Sequence, residues 1–392
     1  MKPAIEPSAT EIALRGWPRS GGAGISASAM RPGHRLPPTA AWLVVTMFGQ
    51  TFLGALATFT ILDLLASFID KFDDLVNFGL LRPEGIEYLL LKLPLIIAQL
   101  MPVACLAGVL LGLGMLNRNG ELLALQGLGI SRVGIALPLL LVSALLSLAA
   151  FGLNETVVPA ATRRSKFLLD GVIRKQPGYG FKVKNWLRTR DCFIAVTAYD
   201  TIHQRLLGIR IFQVGPQYKM RAIYSADTAD WDGKDWVFSE LKVLNIKPGS
   251  VTGARAPEFH LDAAPSDFSF ALLTPEEYSL SELDAYIAKL RRNGLEPGAY
   301  LVDRDVKYAL PLSCLVMMFC GLALSLDPVP RASSAGRGFI LGFGIGLTYW
   351  VTLGFTISFG RSGLMVPWMA AWLPNILFSL LGAALFVAGE ER

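Results

Sequence analysis

Four cations and one carboxylate stand where this chain could do chemistry. Arg163, Arg164 and Lys166 come directly after a long apolar run, and Lys71 follows another. At the edge of a bilayer such groups can meet the phosphates of a lipid headgroup through charge-assisted hydrogen bonds, or can serve as plain interfacial anchors for the span beside them. Lys71 stands among Asp70, Asp73 and Asp74, with Asp63 eight residues before it. An acidic residue in a span marks a functional site by default, but water close by and Lys71 on the same helix face account for Asp63 through snorkelling or pairing. The carboxylate is Glu121, in the segment LNRNGELLALQGLGISR (116–132). It opens a short helix carrying Leu122, Leu123, Leu125 and Gln126, broken by Gly127 and Gly129. This segment is too apolar for a solvated loop. It presents an apolar knob with an acidic end, a surface that suits docking on another protein.

No reaction follows from the remaining residues. The chain has no G-x-x-x-x-G-K-[ST] phosphate loop, no H-E-x-x-H metal motif and no G-x-S-x-G nucleophile elbow, so neither ATP hydrolysis nor another catalytic role is expected of it. His34, His203 and His260 are isolated, which suits solvated or capping histidines better than metal ligands. Cys105, Cys314 and Cys320 fall in apolar runs, and Cys192 alone cannot build a disulfide framework. The net charge of +5 fits basic loops of a membrane protein, and no basic patch with interleaved aromatics indicates nucleic acid. Gly338, Gly342 and Gly346 recur at four-residue spacing, as do Gly108 and Gly112. Each set is a smooth stripe on one helix face that another helix can approach closely, either within this chain or across a subunit contact.

The elements that must position these residues are mostly membrane spans. Of 392 residues 53% are hydrophobic and only 17% charged, and charge-free windows of about 20 residues match the roughly 30 Å hydrocarbon layer as helices. Six occur, at 41–62, 93–116, 133–153, 308–326, 338–360 and 362–389, the last able to break at Pro367 or Pro374. The architecture expected is an α-helical polytopic membrane protein of three plus three spans around an inserted all-β domain resembling a jelly roll. The division is a disordered cytoplasmic tail at 1–38, helices one to three at 39–154, the inserted domain at 155–303, and helices four to six at 304–392. Arg31, Arg35, Arg118, Arg132, Arg331 and Arg337 lie on one side and Lys71, Arg82, Lys92 and Arg361 on the other. The positive-inside rule then makes both termini cytoplasmic and exports the large domain. The tail has no cleavable signal, and Met30 is an alternative start.

Within the insertion, CFIAVTAY, LLGIRIFQV, MRAIYSADTADW, WVFSELKVLNI and APEFHL alternate like strands and are separated by turn residues, the spacing of an antiparallel sandwich or jelly roll. A helix at 281–292 follows. Ser279 and Glu282 have capping-box spacing, Leu283, Tyr286, Ile287 and Leu290 share a face, and Asn293-Gly294 ends it. It is either a connector packed on the sheet or a lever joined to the fourth span.

The run PVACLAGVLLGLGMLNRNGELLALQGLGISRVGIALPLL, followed by SLSELDAYIAKLRRNGLEPGAYLVDRDVKYALPL and SGLMVPWMAAWLPNILFSLLGAALF, resembles the lipopolysaccharide export permeases, the LptF/LptG family. The likeness covers about 39–389 in order. Gln126 and PWMAAWLPN look more like the G-type than the F-type paralogue. The resemblance implies that Glu121, Leu122, Leu125, Gln126 and Gly129, within 120–129, form the coupling helix that docks on a cytoplasmic ATPase. It also implies that Lys166 takes the place of a headgroup-contacting arginine, with Arg163 and Arg164 beside it, and that Lys71 stands for the cationic outer part of the first span, here mixed with aspartates. The implied partners are an F-type permease, an LptB-type ATPase dimer carrying ATP and Mg, an LptC-type protein and lipopolysaccharide. This chain itself would bind no cofactor. Two permeases would enclose a cavity between the first and fifth spans of each, in the inner membrane. The rival readings are a mechanotransmission or scaffold subunit that binds no lipid, and a lipid-modifying membrane enzyme. The three-plus-three layout disfavours the first, and the lack of clustered His, Asp or Glu at span ends the second.

Overall fold

The computed structural model describes residues 37–78, 82–169, 186–188, 192–200, 204–214, 220–247, 250–255, 261, 265, 273–292, 295–326 and 335–390. The tail before Pro37, all three histidines, Arg331, Asn293-Gly294 and most of the APEFHL strand lie outside the described residues.

The helical part comprises α1 (Pro38–Asp70), the short α2 (Phe72–Phe78), α3 (Pro83–Arg118), α4 (Glu121–Gly127), α5 (Arg132–Lys166), α6 (Leu280–Arg292), α7 (Gly298–Ser325), α8 (Ala335–Arg361) and α9 (Pro367–Glu390). Prolines set several starts. Pro38, Pro83 and Pro367 occupy first helical positions, where a missing N–H costs nothing and the fixed φ suits the helix. The sixth span therefore breaks at Pro367, and Pro374 lies inside α9. Ser131 caps α5 by accepting from the Gly134 amide at 3.1 Å. Among the described residues six helices are long and apolar enough to cross a membrane: α1, α3, α5, α7, α8 and α9.

Burial sorts these helices into centre and edge. In α3 and α7, 61% of the apolar window is buried inside the chain, against 6% in α1. Cys105, Val109 and Leu113 of α3 pack with Cys314, Met318 and Leu322 of α7 and Ile135 and Leu139 of α5. Val44, Phe48 and Phe52 of α1 close the same cluster. A second cluster joins Leu106 of α3 and Met317 of α7 to Tyr349 of α8 and Phe378 of α9. One polar clamp crosses this interior. The Tyr349 hydroxyl donates to Asn375 Oδ1 at 2.8 Å, and Asn375 Nδ2 donates to the Ala309 carbonyl at 2.7 Å, so three helices share a satisfied network where unpaired polar groups are costly.

Helices α3 and α5 have 36 and 35 residues, a length of about 50 Å that exceeds the roughly 30 Å hydrocarbon layer. They project at the end that carries the sheet. There Leu75, Tyr88, Leu168 and Leu169 make a small apolar core of their own. Helix α5 thus runs well past 153, where the apolar window closes. Its continuation carries Glu155, Thr162 and a basic last turn of Arg163, Arg164 and Lys166, which suits a helix C-terminus but ends an uncharged stretch.

The insertion is β-rich and antiparallel, as expected. Strands β1 (Trp186–Arg188), β2 (Cys192–Asp200), β3 (Arg205–Val214), β4 (Met220–Trp231), β5 (Trp236–Ser239), β6 (Lys242–Lys247) and β7 (Ser250–Arg255) form one sheet in the order β1-β2-β3-β4-β6-β7, with β5 paired to β4. Ile194, Val196, Leu206, Ile209 and Ile211 fill one face with Trp236 and Leu261. The run WVFSELKVLNI is two strands, because Glu240 takes a φ of 47° and interrupts the pairing on β4. β1 and β7 were not legible as strands: the first is three residues long, and the second, SVTGAR, has too few large apolar residues to alternate.

Candidate functional site

The knob opens and closes on glycines in left-handed backbone. Gly120 precedes α4 with φ 77° and Gly129 follows it with φ 83°, conformations that side chains on Cβ disfavour. Asn119 Nδ2 donates to Glu121 Oε1 at 3.3 Å. Leu122 is buried, and Leu125 packs on the main core next to it. Leu123 and Leu128 face outward, Leu128 at 76% exposure. Of the residues expected at the docking surface, Leu122 and Leu125 therefore hold the knob to the body. Its outer surface is Leu123 and Leu128 beside Glu121 and Gln126. Seven residues are too few for periodicity to separate these faces.

The expected headgroup cations come together at the sheet-bearing end, each beside a carboxylate of the same chain. Arg163 pairs with Glu282, Arg164 Nε reaches Glu87 Oε1 at 3.0 Å, and Lys166 Nζ reaches Glu277 Oε2 at 2.6 Å and Thr274 Oγ1 at 3.0 Å. The Glu277 side chain is only 2% exposed, whereas those of Arg164 and Glu87 are about half exposed. Burial pushes the Glu282 carboxyl up, but the Arg163 guanidinium and the Ser279 amide outweigh it and hold it below its usual value. Burial raises the neighbouring Tyr278 hydroxyl far above its ordinary value, so it stays protonated. Lys71 pairs with its chain neighbour, 2.6 Å from Asp70 at the end of α1. Glu277, Glu282, Glu87 and Thr274 were the partners missing from the sequence reading. Only the capping box linking Ser279 to Glu282 signalled any of them, and the structure contains that box, with Ser279 N donating to Glu282 at 2.9 Å and Glu282 N to Ser279 Oγ at 3.3 Å.

The glycine stripes face neighbours within this chain. A Cβ on Gly108 would lie 2.9 Å from Phe52 Cα of α1, and one on Gly112 would lie 3.0 Å from Thr51 Oγ1. Thr51 Oγ1 also donates to the Gly108 carbonyl at 2.7 Å. On α8, Gly342 faces Leu110 and Gly346 faces Val103 of α3. Gly338 stands one turn before Gly342, near the start of α8. Helices α1 and α8 thus sit on opposite faces of α3. Each turns an i, i+4 apolar stripe outward: Leu53, Ile61, Leu65 and Ile69 on α1, and Phe343, Leu347, Val351, Phe355 and Phe359 on α8. Among the described residues no group of three or more His, Cys, Asp or Glu could hold a metal ion.

Residues 43–388 match the family model of the lipopolysaccharide export system permease LptF/LptG. This chain belongs to the LptF/LptG family. Two relatives are both named lipopolysaccharide export system permease protein LptG. The one from Escherichia coli K12 is 26% identical over 307 residues, 75% of this chain and 82% of its own. The one from Haemophilus influenzae is 25% identical over 356 residues, 85% of this chain and 95% of its own. An LptF/LptG permease is a multi-pass membrane protein, and the six spanning helices here are that membrane part. The family match spans α4, the basic turn of α5 and both outward stripes.

Proposed function

We propose that this chain is the G-type permease subunit of an ABC transporter that extracts lipopolysaccharide from the outer leaflet of the inner membrane. The observation that carries this reading is the pair of unfilled apolar stripes on α1 and α8, held on opposite faces of α3 by close glycine contacts. Facing the matching helices of an F-type permease, they would wall a cavity whose lining suits acyl chains. Both termini and α4 would be cytoplasmic and the sheet periplasmic, in keeping with the Lys and Arg distribution. ATP and Mg would reside on an LptB-type ATPase dimer docked at Glu121, Leu123 and Leu128, so the chain itself would bind no cofactor. Lys71 and the half-exposed Arg164 would meet headgroup phosphates at the rim. The edge strands β1 and β7 would offer unpaired backbone for strand addition by an LptC-type partner, extending the path for lipid.

Motor and cavity are joined through α4, so reversing its charge tests the whole reading. In vesicles holding this chain with its F-type, LptB-type and LptC-type partners, Glu121→Arg should leave ATP hydrolysis running while lipid release to an acceptor falls at least about tenfold. Release unchanged from the parent complex would sink it.

A further inference from the structure

The last turns of α5 hold the segment that returns the chain from the sheet to the membrane. Glu277 Oε2 accepts from the Thr274 amide at 2.6 Å and the Thr274 hydroxyl at 3.0 Å, closing a capping box on the turn Pro275–Glu277. Glu282 closes the second box, on α6, with Ser279. Each capping carboxylate then takes one cation from α5: Lys166 for Glu277 and Arg163 for Glu282. A third contact comes from Glu155, whose Oε2 accepts from the Leu280 amide at 2.7 Å. Positions 155, 163 and 166 share one face of a helix. Beyond the clamp, Tyr278, Leu283 and Ile287 pack with Tyr300 and Leu301 of α7.

Three contacts along one face fix both the position and the rotation of the returning segment. At its other end α5 begins at Arg132, capped by Ser131, and α4 ends at Gly127. A single helix of 35 residues therefore runs from the knob to the clamp. Pro138 and Pro159 each leave out one backbone hydrogen bond, but the helix continues through both, and its remaining bonds keep it stiff along its axis, so displacement at one end arrives at the other.

We propose that α5 is the rod that carries motion from α4 to the sheet domain, and that Lys166 is a positioning residue clamping Glu277 at its far end rather than a headgroup-binding cation. This rests on the transport reading above. The physical ground is the asymmetry of a buried ion pair. Removing Lys166 alone strands the Glu277 carboxylate, which is 2% exposed, whereas neutralising both partners strands nothing. Glutamine keeps the capping bonds of Glu277, since either residue closes such a box.

The test compares Lys166→Met with Lys166→Met/Glu277→Gln in the assembled complex. Lys166→Met should lower lipid release about tenfold with ATP hydrolysis retained, and hydrogen exchange at the Thr274, Ser279 and Leu280 amides should speed up. Adding Glu277→Gln should restore both readouts to the parent level, because the cation is needed only by Glu277. A headgroup-contacting cation predicts the opposite: the double variant stays as impaired as Lys166→Met. That result overturns the proposal, as does a Lys166→Met complex that behaves like the parent. If Lys166→Met alone does not assemble, the double variant decides, supporting the clamp if it releases lipid normally and refuting it if not. A parent complex that releases no lipid would count against the transport reading instead, and the exchange rates would still decide on the clamp.

Discussion

Leu122 and Leu123 are neighbours with opposite duties, and the distinction is testable. Leu122 is buried with Leu116, Ile130 and Ile135 in the main core, so Leu122→Ala should cost about 3 kcal/mol and lower the thermal midpoint of the purified chain. Leu123→Ala should leave that midpoint unchanged and weaken co-purification with the ATPase, since an exposed leucine supports little but a partner. Glu282 makes a pH prediction. Its carboxyl is held below the ordinary value of 4.5, so the folded state gains stability from it above that value and loses it as pH falls through the folded one. Thermal midpoints measured from about pH 6 down to about pH 3 should fall less steeply in Glu282→Gln than in the parent. At this scale the sequence displayed the cations and hid their partners. Lys166 meets Glu277 and Arg163 meets Glu282 across separations of 111 and 119 residues, and nothing local to a basic turn encodes which distant carboxylate will neutralise it.

Among elements, the spans were legible because a bilayer demands a long uncharged window and little else imitates one. Helix ends were less so, since α5 continues on ion pairs after its apolar window closes. In the sheet, the break at Glu240 and Leu241, where Glu240 takes a positive φ, is a backbone event with no periodic signature. The glycines make the sharpest prediction about elements. A Cβ added at Gly108 would lie 2.9 Å from the Phe52 Cα, and backbone cannot step aside, so Gly108→Ala should push α1 off α3 at a cost of about 1–3 kcal/mol. A Cβ added at Gly346 would have its nearest neighbour at 3.6 Å, an ordinary contact with a side-chain methyl of Val103, so Gly346→Ala should be silent. Thermal midpoints in detergent should separate the two, and equal destabilisation would mean that the α1 and α8 contacts with α3 are equally tight.

For the whole molecule, the proposed transport requires one outward surface to line a lipid cavity while the others border the bilayer. Among the described residues α1 and α8 present long apolar stripes, as do α5 through Val133, Leu137, Leu141 and Leu145 and α9 through Ile376, Leu377, Leu380 and Leu381. Apolarity alone cannot rank them, because acyl chains in a bilayer and acyl chains in a transport cavity offer a leucine the same contact. The packing sets α1 apart. Helix α5 has its inner face in the main core, as the proposed rod requires, whereas α1 leaves all but 6% of its apolar window unburied and has room for a partner as well as a ligand; α8 joins it through the proposed cavity, on the opposite face of α3. A photoreactive residue at Leu53 of α1 or Phe355 of α8 should therefore crosslink to lipopolysaccharide in the assembled complex, and ATP turnover should reduce the yield as the cavity empties. The same probe at Leu141 of α5 should crosslink mainly to bulk phospholipid, with a yield indifferent to ATP. Equal, ATP-insensitive labelling at all three positions would show that no cavity forms, and would leave the six spans as a scaffold around a motion that passes through α5 alone.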